Sequence, residues 1–200
     1  MYAATVSGRP LTFEVAGFWR RNMLMRDRET GSIWQQATGE AVAGPLQGSR
    51  LEPLGGQQTN WATWRGEHPE TALAVEPEHA PKGIIALLPY RAMFDLFGRL
   101  RFTFPGLAVN DTRLPSREEV AGISMAGEAC AYPLSILRRV GVVHDHLGGL
   151  PITVVYDHSG DRVRAFRRSA GDGEVTEPIA VMREWWLAWS EFHPGTSIYV

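Results

Sequence analysis

Apolar and polar positions alternate in short bursts along most of this chain, and runs at helical spacing interrupt the alternation. Leu11–Val15, Met23–Arg26, Ile33–Gln36 and Ala41–Ala43 each read as a short strand, separated by glycine-bearing turns. Val120–Ser124, Ala129–Tyr132, Val142–His146, Ile152–Tyr156 and Val163–Arg167 read the same way. Thr59–His68 and Val181–His193 change period and predict helices, each stopped by the proline after its histidine, because a residue before proline is pushed out of helical geometry. Pro133–Val140 predicts a short helix with proline in its first turn, and Pro89–Gly98 a further one. The pattern as a whole predicts an α+β fold, β-rich, made of short antiparallel strands with a tryptophan-bearing helix packed on each of two units.

The two units are read from a repeated phrase. Trp61-Ala-Thr-Trp64-Arg-Gly-Glu-His68-Pro69-Glu-Thr71 and Trp186-Leu-Ala-Trp189-Ser-Glu-Phe-His193-Pro194-Gly-Thr196 share the pattern W-x-x-W-x-x-x-H-P-x-T. Upstream, Ser7-Gly8-Arg9-Pro10-Leu11-Thr12-Phe13 resembles the stretch from Ser159-Gly160-Asp161 to Phe166. The expected organisation is a single co-folded domain over 1–200: a first unit over 1–80, a connecting segment over 81–118 and a second unit over 119–200. The second unit has a block from about Glu119 that the first lacks, so the first reads as N-terminally truncated.

Composition narrows the function classes. With 44% apolar residues, 21% charged residues and a net charge of −2, the chain has no basic footprint for nucleic acid. Its basic residues are nearly all arginine, Lys82 being the one lysine, which reads as the signature of a GC-rich genome. Cys130 is the single cysteine, so neither an intrachain disulfide nor a cysteine-based zinc site forms within these residues. No apolar run is long enough to span a bilayer, and no charged n-region with a following apolar stretch opens the chain. The default location is cytoplasmic, with export left open.

The chain resembles a bacterial and archaeal family designated domain of unknown function 3179. The matching text is Leu11-Thr12-Phe13 with Ala16-Gly17; Asp27-Arg-Glu-Thr30-Gly31-Ser32-Ile-Trp34; Gly39-Glu40-Ala41; Gly44-Pro45-Leu46 with Gly48-Ser-Arg50-Leu51; and the tryptophan helix. Further on it is Gly127-Glu128-Ala129-Cys-Ala131-Tyr132-Pro133-Leu134, then Asp145 and Gly148-Gly149. The resemblance implies another copy of the A-Y-P…D-x-x-G-G block ahead of the L-T-F strand, followed by a C-P-x-C-like cysteine pair. Neither is in this sequence, and the resemblance implies no established activity.

Candidate chemistry is sparse. His144 and His146, two apart on a strand, present two imidazoles to one side and are candidate metal ligands, with His158 a third if Gly148-Gly149 turns a hairpin. Asp27, Thr30, Ser32, Trp34, Gln35 and Glu40 place carboxylates, hydroxyls and amide beside an aromatic floor, the composition of a small-ligand pocket, although Asp and Gly there also suit a plain turn. The tryptophans at i and i+3 with histidine at i+7 form one helical face and read as core, and both histidines fall at helix C-termini, where the dipole favours a cation. Gly122-Ile-Ser124-Met-Ala126 only superficially resembles a nucleophile elbow, since a hairpin turn follows the serine. Cys130, between two alanines, reads as a small buried residue.

No catalytic residue and no cofactor are assigned, and no glycine loop for phosphate or dinucleotide is present. Three readings stand: a non-catalytic binding or interaction module for a small ligand or protein, a metal-dependent enzyme at His144/His146, or a fragment whose cysteine-pair half lies elsewhere.

Overall fold

The computed structural model describes residues 1–20, 22–54, 56, 58–73, 111–169 and 175–200. The chain divides into a unit formed by Met1–Thr59 and Ala108–Val200 and a second unit, Asn60–Leu107, of which the tryptophan helix is described. The expected helix Pro89–Gly98 and most of the connecting segment lie outside the described residues.

In the larger unit, a small hairpin of β1 (Thr5–Val6) and β2 (Arg9–Pro10) turns at Ser7-Gly8. Both turn residues have positive φ, 49° and 77°, as a two-residue hairpin loop that matches strand twist requires. An antiparallel meander follows: β3 (Phe13–Trp19), β4 (Asn22–Asp27), β5 (Ile33–Gln35) and β6 (Glu40–Ala43), neighbours in that order. Its inner face buries Leu11, Trp34, Ala41 and Leu51, with Phe13 edge-on to Trp34 at 5.8 Å.

The remaining elements begin with a hairpin of β7 (Glu119–Met125) and β8 (Glu128–Pro133), turned by Ala126-Gly127. Strand β8 runs straight into α2 (Leu134–Val140), which ends at Gly141 with φ 75°. A second meander then forms from β9 (Val142–Leu147), β10 (Leu150–Asp157), β11 (Arg162–Arg168) and β12 (Val175–Ile179). The chain returns as β13 (Met182–Trp185), antiparallel to β7, continues as α3 (Trp186–Phe192), and closes with β14 (Ser197–Ile198), parallel to β8. The fold is therefore α+β and dominated by antiparallel strands. Among the described residues no helix is long and apolar enough to cross a membrane.

The structure corrects one expected helix. Val181–His193 does not start helical: Met182–Trp185 pairs with Gly122–Glu119 along the edge of β7, and the helix begins only at Trp186. The run of apolar and aromatic residues fits either period, and the backbone donors and acceptors exposed along β7 decide in favour of a strand. In the smaller unit, Thr59–His68 narrows to α1 (Trp61–Glu67), capped by the Asn60 side chain, which accepts from Thr63 N at 2.9 Å.

Two contacts fix the core around α2 and α3. Tyr132 on β8 donates its hydroxyl to Asp145 on β9 at 2.9 Å, so an otherwise unpaired phenol is satisfied as the two sheets meet. Trp186 and Trp189 pack with Val120 and Ala131, and burial of each indole contributes roughly 4 kcal/mol. Gly122 makes that packing possible, because a Cβ placed there would lie 2.3 Å from Trp189 Cε3. Replacing Gly122 with alanine is expected to destabilise the protein by about 2 kcal/mol through overpacking. Urea denaturation of the G122A variant checks this, and a midpoint equal to the wild type's contradicts the packing.

Candidate functional site

The larger unit holds a cleft of about 1110 Å³. It draws its lining from distant parts of the sequence: Tyr2, the stretch around Glu40 and Arg50, the β7–β8 hairpin at Glu128, Met182 on β13 and His193 after α3. The bridges Tyr2↔Pro53 and Glu40↔Arg50 hold the first two walls in place.

Tyr2, Glu40, Arg50, Glu128 and His193 in the cleft are each positioned by a neighbour. Tyr2 donates its hydroxyl to Ala37 O at 2.8 Å, and burial, then the Glu184 carboxylate, push its phenol up to about 12. Arg50 pairs with Glu40 at 2.7 Å. Glu128 accepts from Gly148 N at 3.1 Å. His193 stacks on Trp189 with ring centroids 3.8 Å apart and planes 25° from parallel. Burial, then the positive Arg50, lower its pKa to about 4. The dipole argument from the sequence is overturned at this residue: desolvation outweighs the helix terminus, and His193 is neutral at pH 7. Carboxylates Glu40, Glu52 and Glu128 share the cleft with one guanidinium, that of Arg50, beside apolar Leu51, Met182 and Phe192.

Behind Trp185 a smaller cavity of about 320 Å³ is lined by Glu119, Arg183 and Glu184. Arg183 bonds Asp161 at 3.1 Å and Glu119 at 3.2 Å, while Arg138 reaches Glu119, Asp161 and the Tyr156 hydroxyl. This network clamps β7, β13 and the β10–β11 turn together. Glu184 stands apart from it, its carboxyl pushed up by burial.

The residues singled out in the sequence fall into separate places. Asp27, Thr30, Ser32 and Trp34 meet in one buried cluster. Trp34 Nε1 donates to Asp27 Oδ2 at 2.7 Å, Thr30 Oγ1 lies 2.7 Å from both Asp27 Oδ1 and Ser32 Oγ, and Leu46 N donates to Ser32 Oγ at 3.0 Å. Burial raises the Asp27 pKa, but the indole, the Thr30 hydroxyl and backbone N–H donors outweigh it and hold the carboxylate below its usual range. These groups spend their hydrogen bonds on one another. Gln35 is occupied by Ala37 N and Trp19 O. Glu40 alone of the six reaches the cleft.

His144 and His146 lie exposed on β9, and Nδ1 of His144 is 2.9 Å from Thr153 Oγ1. Gly148-Gly149 does turn the hairpin, but its register sets His144 opposite Thr153 and His146 opposite Pro151. His158 follows the far end of β10, roughly 16 Å along the strand from Thr153, and packs edge-on to Tyr156. The structure does not bring the three imidazoles together. Among the described residues no group of three or more His, Cys, Asp or Glu side chains is placed to hold a metal ion.

Sequence reasoning missed Tyr2, Arg50 and Glu128 as cleft residues. Arg50 lies ten positions after Glu40, across a glycine-bearing loop, so the one available signal was the closing of that loop. The Cys130 thiol is buried, and desolvation pushes its pKa up, as expected of a packed side chain.

These features define a β-dominated α+β protein with an open, carboxylate-rich cleft. A family model described as a protein of unknown function, DUF3179, matches residues 1–177, and the chain belongs to that family. No curated protein and no solved structure shows a significant match.

Two outcomes follow from the electrostatics. Because His193 resists protonation when folded, its contribution to stability is complete above pH 6.5 and lost as pH falls towards 4. The loss is on the order of 3 kcal/mol, and a His193→Gln variant lacks it; urea melts of both proteins at pH 7 and pH 4.5 measure the difference. Asp27→Ala strands the Trp34 indole N–H and is expected to cost about 3 kcal/mol, with Asp27→Asn retaining part of it, checked by the same denaturation series.

Proposed function

We propose that this protein is a non-catalytic binding module and that its ligand occupies the cleft lined by Glu40, Arg50, Glu128 and His193. The observation that carries the reading is the convergence there of polar groups from four separated stretches of chain, each oriented by its own hydrogen bond or stacking partner, over an apolar floor. The charge balance favours a small molecule rich in donors, an amine or polyol, since carboxylates outnumber the single guanidinium. Neutral His193 adds a ring nitrogen that can accept a hydrogen bond.

The reading includes the organisation of the chain as two related units. Support comes from the two W-x-x-W-x-x-x-H-P-x-T motifs, which close the same bonds. Trp64 Nε1 donates to Thr71 Oγ1 at 2.9 Å and Trp189 Nε1 to Thr196 Oγ1 at 3.0 Å. Each histidine N–H bonds the carbonyl of the preceding tryptophan, and each ring packs on that indole. A shared local fold of this detail fits two descendants of one element, while the cleft uses only the second copy.

Ligand-observed NMR with a library of small amines, polyols and carboxylates tests the binding site. Amines and polyols are expected to show saturation transfer from the wild-type protein and to lose it in Ser124→Trp, which fills the cleft from an exposed strand position. Binding that survives this substitution, or a preference for carboxylates, contradicts the assignment.

A further inference from the structure

The end of the β3–β4 hairpin exposes apolar side chains that a strand would normally turn inward. Val15, Phe18 and Trp19 are 64%, 78% and 46% exposed. Their register shows how this arises. Val15 pairs with Met25 and Phe18 with Met23, on the face that carries Phe13 towards Trp34 further along the strands. Trp19 pairs with Asn22 and, one position from Phe18, points to the opposite face. An exposed aromatic therefore stands on each side of the hairpin end.

Charge marks the same place. Gly17 to Arg26 reads G-F-W-R-R-N-M-L-M-R, with arginines and no carboxylate in a chain whose net charge is −2. Arg26 is engaged by Glu14, whereas the Arg20 guanidinium lies over the Trp19 ring, 4.5 Å from its centroid. Arg21 follows it in the sequence.

We propose that the end of the β3–β4 hairpin is a membrane-surface anchor, seating Phe18 and Trp19 in the interfacial layer of an anionic bilayer with Arg20 at the lipid phosphates. Aromatic rings partition to the headgroup level, and a guanidinium forms bidentate hydrogen bonds with phosphate. Apolar side chains on both faces fit immersion in a medium, since a protein partner seated on the sheet would cover one face and leave the other aromatic in water. Pairing of β3 with a second copy is opposed by the register shift between Val15 and Gly17, which kinks the edge a partner strand would need. With two rings and the Arg20 charge the attachment is weak and reversible.

Vesicle co-sedimentation of the full chain tests this. Wild-type protein is expected to sediment with phosphatidylcholine vesicles containing roughly one-third phosphatidylglycerol, to stay in solution with pure phosphatidylcholine, and to be released by high salt. Phe18→Ser with Trp19→Ser is expected to weaken binding at least about tenfold, and Arg20→Gln about fivefold. Phe18, Trp19 and Arg20 are exposed, so these three substitutions leave the core untouched, and an unchanged thermal melt confirms the fold. The salt dependence of the wild-type protein stands as a separate readout if a variant misfolds. The proposal is overturned by absent binding, by equal binding to neutral vesicles, or by a serine variant that binds like the wild type. A wild-type dimer that the serine substitutions convert to monomer also overturns it, by assigning the patch to self-association.

Discussion

A buried indole must hide its ring from water and still find an acceptor for its N–H, and much of this structure is arranged around that double demand. Trp34 donates to Asp27 and Trp189 to Thr196, each across seven residues of sequence, and the partly exposed Trp64 makes the same bond to Thr71. A partner so near in the chain ties ring placement to a local turn. In the first case the tie closes the β4–β5 connection. In the others it folds the chain back after the helix, with His68 or His193 held against the ring. The apparent sequence motifs D-x-x-T-x-S-x-W and W-x-x-x-H-P-x-T are therefore instructions for burying tryptophan, and their polar residues serve the indole first.

That economy explains what could be read from the chain. A strand with clean alternation, such as Val142–His146, announced itself because one face is buried and the other wet. The β13–α3 junction did not, because Met182-Arg183-Glu184-Trp185 has no periodicity of its own and takes its shape from the open edge of β7. The Asp27 turn was legible as a cluster but ambiguous in purpose, since hydroxyls, carboxylate and aromatic describe a ligand pocket and an internally satisfied turn equally well. Glu40 was the one member whose side chain remained available to the cleft. The rest of the cleft was invisible because its walls meet only through tertiary pairing, the Tyr2–Pro53 and Glu40–Arg50 bridges above all.

The charged residues are distributed in two ways with different consequences. Glu119, Arg138, Asp161 and Arg183 pair with one another across β7, α2, β13 and the β10–β11 turn. Several partners per charge make that a network, in which the cost of ordering each side chain is shared. The cleft shows the opposite arrangement. Among the described residues, Glu40 pairs with Arg50 and Glu128 accepts one backbone hydrogen bond, from Gly148. Partly satisfied carboxylates at an open surface retain the capacity to accept further donors, which saturated ones lack.

The state of His193 sets the strength of the negative field in that cleft. A helix C-terminus favours an imidazolium, but the helix here has only seven residues and its terminus is partly shielded by the ring's own stacking on Trp189. Burial removes the hydration that a cation would need, and Arg50 adds repulsion. Were His193 charged, two cations would face three carboxylates and the cleft would approach neutrality. With His193 neutral, Arg50 is the lone cation against Glu40, Glu52 and Glu128, and Glu40 is already committed to it. Two carboxylates are left without a charged partner in the cleft, and a donor-rich ligand is what they would select. The same burial that packs the helix on Gly122 thus decides the chemistry the cleft presents.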